Sequence, residues 1–549
     1  MNAPLPQATW TTGTTEVFKT GTWRAALPHY VKAASPCHQA CPVNGDIAEW
    51  IGLAHARDFR GAWDVLTRHN PFPAVAGRIC HHPCEAACNR GGYDESLAIC
   101  KLERLVGDLA LENGWAFDAP ATERKESVAI VGAGPSGLSA AFQLRSRGYQ
   151  VTLYESQSEL GGLMRYGIPS YRLARKVLDG EIQRIVALGV QVRHEELASA
   201  QDLERLRTDY DAVYLALGAG KPKRLPNMPE QAPWLMDGAE YLARSNAGAP
   251  PLLGKRIVVV GGGSAALDAA RSARRAGHEV TILALERAKQ MPAQKEELAE
   301  ALEEGIALAD GAMLKAVTPT KGIGLVLHCQ CVFFDPGPER GQFKIEPITN
   351  GDFTLAADAI VVSIGQDPEL SALDGMLAVD HGLLAVDERM AASAPSVWAG
   401  GDAASMARFV TEAIGMGKRA ALDIDRALNG QPVQADGAAQ PLAGLPNIAT
   451  WYHPKHERVA EQVRPAAERL ASPLEVQLGL ELEQALAEAG RCFSCGTCTQ
   501  CDNCFHYCPD LAIIRVPGGY SVLTDYCKGC GICVKECPTG SMVMREEIR

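Results

Sequence analysis

No stretch of the sequence approaches the roughly eighteen consecutive apolar residues that a membrane-crossing helix needs, so no membrane span is expected. Residues 1–23 are Thr-rich and lack a basic segment followed by an apolar run, which argues against a secretory signal. Positive charge is short as well. Lys and Arg total 53 against 65 Asp and Glu, a net charge of -12, and no basic stripe stands out. A nucleic-acid partner therefore has no electrostatic support. Aromatic residues make up only 6%, and Trp and Tyr form no stripe. No Ser/His/Asp or metal-hydrolase arrangement is present, so no acid–base catalyst is assigned. The remaining composition, 47% apolar and 21% charged, is that of an ordinary globular chain. Its length suits about three or four domains of roughly 150 residues.

Cysteine is what the chain has in quantity. Of 18 cysteines, all but Cys329 and Cys331 fall in two blocks near the ends. In a small secreted domain such blocks mean disulfides. In a large chain without a leader, tight C-x-x-C spacing means metal or redox chemistry. Oxygen-sensitive clusters need a reducing compartment, so the expected location is the cytoplasm. Cys329 and Cys331 alternate along LVLHCQCVFF, which reads as a strand, and are taken as packing residues.

Four zones follow. Residues 1–120 hold six cysteines among helical patterns and are expected to form a helical domain. Residues 126–430 alternate Val/Ile-rich runs with helical stretches, the pattern of parallel α/β sheets. Two nucleotide-fold openings lie within them, so one dinucleotide domain is expected inside another: FAD-binding at 121–250 and 366–430, NAD(P)-binding at 251–365. Residues 431–490, beginning QPVQADGAAQPLAGLP, read as a linker. Residues 491–549 form a cysteine-rich terminal module. The fold class is thus multidomain α/β: a helical Fe–S domain, two Rossmann-like domains and a ferredoxin-like α+β domain.

The terminal spacing is Cys498-x2-Cys501-x2-Cys504-x3-Cys508-Pro509, then Cys527-x2-Cys530-x2-Cys533-x3-Cys537-Pro538. Each run has the two-cluster ferredoxin spacing, in which three thiolates wrap one 4Fe–4S cube and the fourth reaches the other. Cluster one is expected to use Cys498, Cys501, Cys504 and Cys537. Cluster two is expected to use Cys527, Cys530, Cys533 and Cys508. Structural zinc is the rival, but zinc sites usually show two separated C-x-x-C pairs. Cys492 and Cys495 precede the module and are surplus to it, unless the ligand choice shifts along the ladder.

SVAIVGAGPSGLSAAFQLRSRGYQVTLYE reads as strand, Gly-rich turn, helix and second strand. Gly132 permits the tight turn, Gly134 lets a pyrophosphate approach, and Gly137 allows helix–strand packing. With Pro135 and Ser136 these residues open a helix whose N-terminus favours phosphate. Glu155 ends the second strand, where it suits ribose hydroxyls. KRIVVVGGGSAALDAARSARRAGHEVTILALE repeats the design with Gly261, Gly263, Ser264, Ala265 and Ala266 at the turn. After its second strand come Glu286 and Arg287. An acidic residue there suits the free 2′-hydroxyl of NAD, whereas Arg accommodates the phosphate of NADP. Glu286 points to NAD(H), with NADP(H) as the alternative.

The order of motifs resembles the glutamate synthase small-subunit family of pyridine-nucleotide flavoproteins, which includes electron-input modules of dihydropyrimidine dehydrogenase. The matching segments are CHQACPVNGDIAEWI (37–51), NPFPAVAGRICHHPCEAACNRG (70–91), GAGPSGL, GGLMRYGIPSYRL (161–173), GGGSAALDAAR, MPA (291–293), SIGQDP (363–368) and AGGDA. The last sixty residues resemble ferredoxin-like delta subunits of 2-oxoacid oxidoreductases. SVWAGGDA (396–403) is similar to the second flavin motif, which implies FAD contacts at Gly401 and Asp402. The resemblance also carries FAD contacts to Gly162, Leu163, Tyr166 and Gly167, the last two shaping the isoalloxazine pocket with Pro169.

By the same resemblance, Cys41, Cys80 and Cys84 match three ligands of one cluster, with Glu103 at the place of a non-cysteine fourth. Cys37 and Cys88 match two ligands of another cluster, because the family's opening C-x-x-C is missing here. Cys492 and Cys495, in EQALAEAGRCFSC, look like that opening moved to the other end of the chain. Cys100 is either a competing ligand or a small buried residue. His81 and His82 are read as hydrogen-bonding groups rather than ligands.

The implied activity is electron transfer between NAD(H) and 4Fe–4S clusters via FAD, in either direction. The implied partners are ferredoxin or the subunits of a 2-oxoacid, aldehyde or aromatic acyl-CoA oxidoreductase. Two alternatives stand: the small subunit of glutamate synthase itself, and an electron-wiring subunit with a vestigial nicotinamide site.

Overall fold

A computed structural model describes residues 24–547 except 198, 227, 230, 321, 323, 339–341, 374 and 433–440. Residues 1–23, and residues 433–440 near the start of the expected linker, lie outside the described residues.

The first dinucleotide unit is a five-stranded parallel sheet ordered Val397–Ala399, Ala212–Leu215, Ser127–Val131, Gln150–Glu155, Gln191–His194. Its central strands are almost continuously apolar because helices cover both faces. Val128, Ile130, Leu153 and Tyr214 are buried among Leu138, Leu144 and Ile414 from those helices. The helix Val410–Leu428 crosses the helix Pro135–Ser146 so closely that a side chain at Gly417 would overlap the carbonyl of Ser136.

The second parallel sheet is ordered Ala307–Ala309, Glu279–Leu283, Arg256–Val260, Ala359–Val362, Leu235–Asp237. It sits in sequence between the strands Ala212–Leu215 and Val397–Ala399, so one dinucleotide domain is inserted in the other. The short strand Leu235–Asp237 and the helix Gly238–Asn246 belong to this sheet. The second unit therefore reaches back past the boundary expected at 251. An antiparallel sheet of Ala312–Pro319, Leu325–Pro336 and Phe343–Ala357 packs on it. Cys329 is buried there with Leu325, Leu327, Val258 and Ile360, which is a packing role.

The helical domain is built from Ile47–His55, Phe59–Thr67, Pro73–Ile79 and Ile99–Glu112. Trp50, Ile51, Trp63, Leu102 and Val106 form its core together with Leu480, Ala485 and Ala489. This corrects the expected linker at 431–490, of which residues 441–490 are a packed strap. Its composition is loop-like, but its charges are paired in place. Glu475 pairs with Arg78 at 2.7 Å and Arg104 at 3.1 Å. Glu488 accepts from the Ala98 and Val459 amides at 2.8 and 3.0 Å.

A second correction concerns the start of the helical domain. The strand Ala26–Tyr30 pairs antiparallel with Met542–Glu546, Tyr30 opposite Met542, and so belongs to the terminal module. Leu27 packs with Ala512 and Cys527.

The helices Pro73–Ile79 and Ile99–Glu112 cross with backbone almost in contact. A Cβ at Gly107 would overlap the Ala74 amide, and one at Gly77 the backbone of Arg104. Gly107→Ala is expected to destabilise the chain by about 1–3 kcal/mol, because overpacking here pushes on backbone rather than on a mobile side chain. Denaturant unfolding of the two proteins, with an unchanged midpoint as the contrary result, checks this. No helix among the described residues is long and apolar enough to cross a membrane.

Candidate functional site: two dinucleotide cradles and the thiol clusters

Three segments converge at the N-terminus of the helix Pro135–Ser146. The first is the Gly-rich turn. Gly132 holds φ at +100°, and a side chain there would overlap the Ala216 carbonyl. One at Gly137 would overlap the Gly132 carbonyl, so helix and strand can approach only through glycine. At Gly134, by contrast, nothing lies within 4 Å of where a Cβ would stand, and no side chain caps the helix. The second segment is the turn at Gly161 and Gly162. Gly161 N–H donates to the Ala133 carbonyl at 2.9 Å, and a Cβ at Gly162 would stand 2.8 Å from Gly134 Cα. The third is the short turn Gly401–Ala403, where Gly401 would meet the Ser136 Cβ at 3.1 Å. Asp402 sits in that turn.

An open space over a helix N-terminus, walled by glycines, fits a dinucleotide pyrophosphate. Glu155 is buried beside it and accepts from the Ala133 and Gln157 amides, both at 2.8 Å. The Ser136 hydroxyl is engaged by Tyr214 OH at 2.6 Å, so it faces the protein core. Leu163 is exposed. The Tyr166 carbonyl accepts from Asn246 at 2.9 Å, which ties the segment to the second dinucleotide unit.

The second cradle repeats this geometry. Gly261 holds φ at +141° against the Ser363 carbonyl, and the space over Gly263 is open. Ser264, the first residue of the helix Ser264–Arg275, has a buried hydroxyl with no hydrogen-bond partner in the protein. A buried polar atom of this kind needs a partner, and a phosphate oxygen would supply one. Ala266 is fully buried where a third glycine would stand, and Ala265 is exposed. The Glu286 carboxylate lies over Gly262, and burial raises its pKa. Arg287 turns away to Asp310, with Nη1 3.4 Å from the carboxylate.

A buried ionic cluster joins the two units. Arg172 donates to Asp268 at 2.6 Å and pairs with Glu297. Tyr171 OH donates to the Asp268 carbonyl at 3.2 Å, and the Arg275 guanidinium lies 3.8 Å from the Tyr171 ring centre. Arg172 and Asp268 lie in the segments GGLMRYGIPSYRL and GGGSAALDAAR, but nothing in the sequence signals their contact, because Asp268 and Glu297 are 96 and 125 residues from Arg172 and carry no shared spacing.

The thiols form four groups. Cys41, Cys80 and Cys84 crowd one another and Glu103, and burial pushes Cys41 up to about 12. Cys80 is the exception, pulled down to about 6 chiefly by hydrogen bonding from Cys100, with help from Thr411 against burial. Its sulfur stands 3.5 Å from the Thr411 hydroxyl and accepts from the His82 amide at 3.4 Å. Burial raises the Glu103 carboxyl, which accepts from Asn70 at 2.8 Å. Glu103 and Cys100 thus both stand beside Cys80. His81 stacks on Phe409 at 4.1 Å, and His82 lies 3.4 Å from Glu85. Sequence reasoning missed Thr411, which starts the helix packed on the flavin cradle. It also missed Glu85, which with His82 and Cys100 places three ligand atoms within 4.8 Å.

Cys37, Cys88, Cys492 and Cys495 line a second group's cavity. Cys498, Cys501, Cys504 and Cys537 line a third, with Tyr30 and Tyr520. In the fourth, Cys533 is pushed up to about 12 by burial and by its neighbours Cys527, Cys530 and Cys508. Thiols held this close repel one another once ionised. Each group therefore fits a bound cation cluster that keeps the thiolates deprotonated.

Comparison with known proteins agrees with this layout. Residues 126–417 match the model of the pyridine nucleotide-disulphide oxidoreductase family. The chain belongs to that family. Its pyridine nucleotide-disulphide oxidoreductase region is flanked by residues 31–115, which match dihydropyrimidine dehydrogenase domain II with its 4Fe-4S cluster. On the other side, residues 497–542 match a 4Fe-4S dicluster domain. The chain is 34% identical over 508 residues to the beta subunit of NADP(+)-dependent formate dehydrogenase from Moorella thermoacetica, spanning 86% of this chain and 72% of that one. It is 31% identical to the NAD-dependent dihydropyrimidine dehydrogenase subunit PreT of Escherichia coli, spanning 72% and 92%. It is 30% identical to the glutamate synthase [NADPH] small chain of Mycobacterium tuberculosis, spanning 74% and 89%. As a member of this family the chain is an NAD(P)-dependent oxidoreductase with FAD, and it carries 4Fe–4S domains at both ends.

Proposed function

We propose that the chain exchanges electrons between NAD(H) and its 4Fe–4S clusters through FAD, as the nicotinamide-facing subunit of a cytoplasmic oxidoreductase complex. The observation that carries this reading is the Cys80–Thr411 contact, which sets a thiol group directly on the helix that covers the flavin cradle. When bound, the flavin takes two electrons as a hydride and releases them singly to clusters that each carry one.

The chain's own residues set the rest. The glycine turns at Gly132 and Gly261 admit the pyrophosphates. Glu155 holds the adenosine end of FAD through its ribose. Glu286 accepts from the 2′-hydroxyl of NADH and repels a 2′-phosphate, while Arg287 leans toward Asp310. The FAD contacts expected at Gly162, Leu163, Tyr166, Gly167, Gly401 and Asp402 complete the pocket. Glu103 serves as the fourth ligand to the group at Cys41, Cys80 and Cys84. Cys100 stays beside that group as a hydrogen-bonding thiol.

The partner is a catalytic subunit acting on formate, a 2-oxoacid, an aldehyde or an aromatic acyl-CoA. The likeness to a formate dehydrogenase beta subunit supports the first. A vestigial nicotinamide site is opposed by the open Gly263 cradle and the unpartnered Ser264 hydroxyl. Anaerobic rapid mixing tests the reading. NADH should bleach the flavin faster than NADPH does, and a flavin inert to both nucleotides would sink it. Glu286→Ala should lower the preference for NADH over NADPH by roughly tenfold, the value of one lost hydrogen bond and one lost repulsion at about 1.4 kcal/mol together. An unaltered ratio of bleaching rates would remove Glu286 from cofactor choice.

A further inference from the structure

Beyond the electron-transfer reading, we propose that Cys37, Cys88, Cys492 and Cys495 hold a 4Fe–4S cluster built from both ends of the chain, and that this cluster fastens the terminal module to the helical domain. These four thiols line one cavity. Cys498, Cys501, Cys504 and Cys537, which have ferredoxin spacing, line another. The two spaces are alike in number of thiols.

A single zinc ion fits poorly. Zinc–thiolate bonds of 2.3 Å put tetrahedral sulfurs roughly 3.8 Å apart. Among the described residues, the trio of ligand atoms drawn within 4.8 Å of one another is His82, Glu85 and Cys100, not these four sulfurs. Disulfides are absent, since all four cysteines are free.

The surroundings are those of a cluster pocket. Ile47, Ile51, Leu97, Ile99 and Phe493 line it and exclude water. Polar groups point at the sulfurs: Ser35 Oγ lies 3.1 Å from Cys37, Asn89 Nδ2 donates to Cys495 at 3.3 Å, and the Ser494 amide donates to Cys492 at 3.4 Å. Hydrogen bonds to ligating sulfur tune and hold iron–sulfur centres.

The site also lies on the seam between modules. Cys492 and Cys495 follow the helix Leu482–Gly490, which packs in the helical core. Immediately after them, Gly496 donates to the Thr539 carbonyl at 2.6 Å and accepts from Ala33 N–H at 3.2 Å. Gly496 holds φ at +71°, and a side chain there would overlap the Ala33 carbonyl. Four thiols from two distant segments, bound to one cluster, would close this seam.

Iron and acid-labile sulfide per chain decide the matter, measured on the anaerobically purified full chain. The wild type is expected to hold about sixteen of each, at four per cluster, and about twelve would overturn the proposal. The variant C492S/C495S and the single variant C88S, from opposite ends, should each lose about four. Unchanged iron in both, or one zinc per wild-type chain, would also overturn it. Trypsin should cut C492S/C495S between the helical domain and the terminal module at least tenfold faster than wild type. An equal rate overturns the fastening role. Flavin bleaching by NADH in the wild type is read separately, so the failure of either idea can be told from the failure of the other.

Discussion

Gly134→Val is expected to give a folded chain that carries its iron but no flavin. The space where the valine would stand is empty of protein atoms, so the substitution meets no steric conflict in the fold. Its backbone is extended, with φ at -76° and ψ at -176°, a conformation valine adopts readily. What the valine fills is the approach of the pyrophosphate to the uncapped helix N-terminus. Losing two charge-assisted hydrogen bonds there, at about 1.5–3 kcal/mol each, weakens binding by roughly 10²- to 10⁴-fold. Flavin released per chain on denaturation should fall to near zero while circular dichroism and iron content hold. Gly137→Val makes the contrast, because its side chain would strike the Gly132 carbonyl and unsettle the sheet itself. If Gly134→Val retained full flavin, the pyrophosphate would have to lie elsewhere.

The two Gly-rich turns and the cysteine ladders were legible because each constraint acts within a short window. A tight turn needs glycine at one position, and a cube needs thiols a few residues apart. What the sequence concealed depends on partners far along the chain. The strand Ala26–Tyr30 is five residues long and pairs with Met542–Glu546. Alone it carries too little alternation to be read, and only its partner gives it a sheet. Leu235–Asp237 is three residues long and half-buried, and it is a strand only by joining a sheet whose core lies downstream. The strap at 441–490 has the composition of a loop, and its packing rests on a few apolar residues and on ion pairs such as Arg78–Glu475. Cys492 and Cys495 admitted two readings by spacing, and their placement beside Cys37 and Cys88 needed three dimensions. Cys100 competed in sequence with Cys492 and Cys495 for the Cys37 group or was a buried residue, but the fold sets it, like Glu103, next to Cys80.

Arg172→Ala should be the most damaging single change away from the cofactors, costing about 3–5 kcal/mol. The Arg172, Asp268 and Glu297 side chains are 12%, 6% and 6% exposed, so removing the guanidinium strands two carboxylates in the interior. Burial already pushes the Asp268 carboxyl up to about 6, with Arg172 acting to lower it. Without Arg172 it must rise further. An acid whose pKa is raised in the folded state holds its proton more tightly there than in the unfolded chain. Stability is then lost as pH climbs from the ordinary carboxylate value through the raised one. The deficit of Arg172→Ala should accordingly be smaller at pH 6 than at pH 8. The triple variant R172M/D268N/E297Q, which removes all three of these charges together, should recover much of the loss. A structural role alone would move only the unfolding midpoint. Asp268, however, lies on the helix that opens at Gly263, and Arg172 on the segment that follows the flavin turn at Gly162. Loosening their contact should therefore also slow flavin bleaching by NADH without lowering flavin content. Equal midpoints for Arg172→Ala and wild type at pH 8 would show that the two dinucleotide units are held together by something other than this buried cluster.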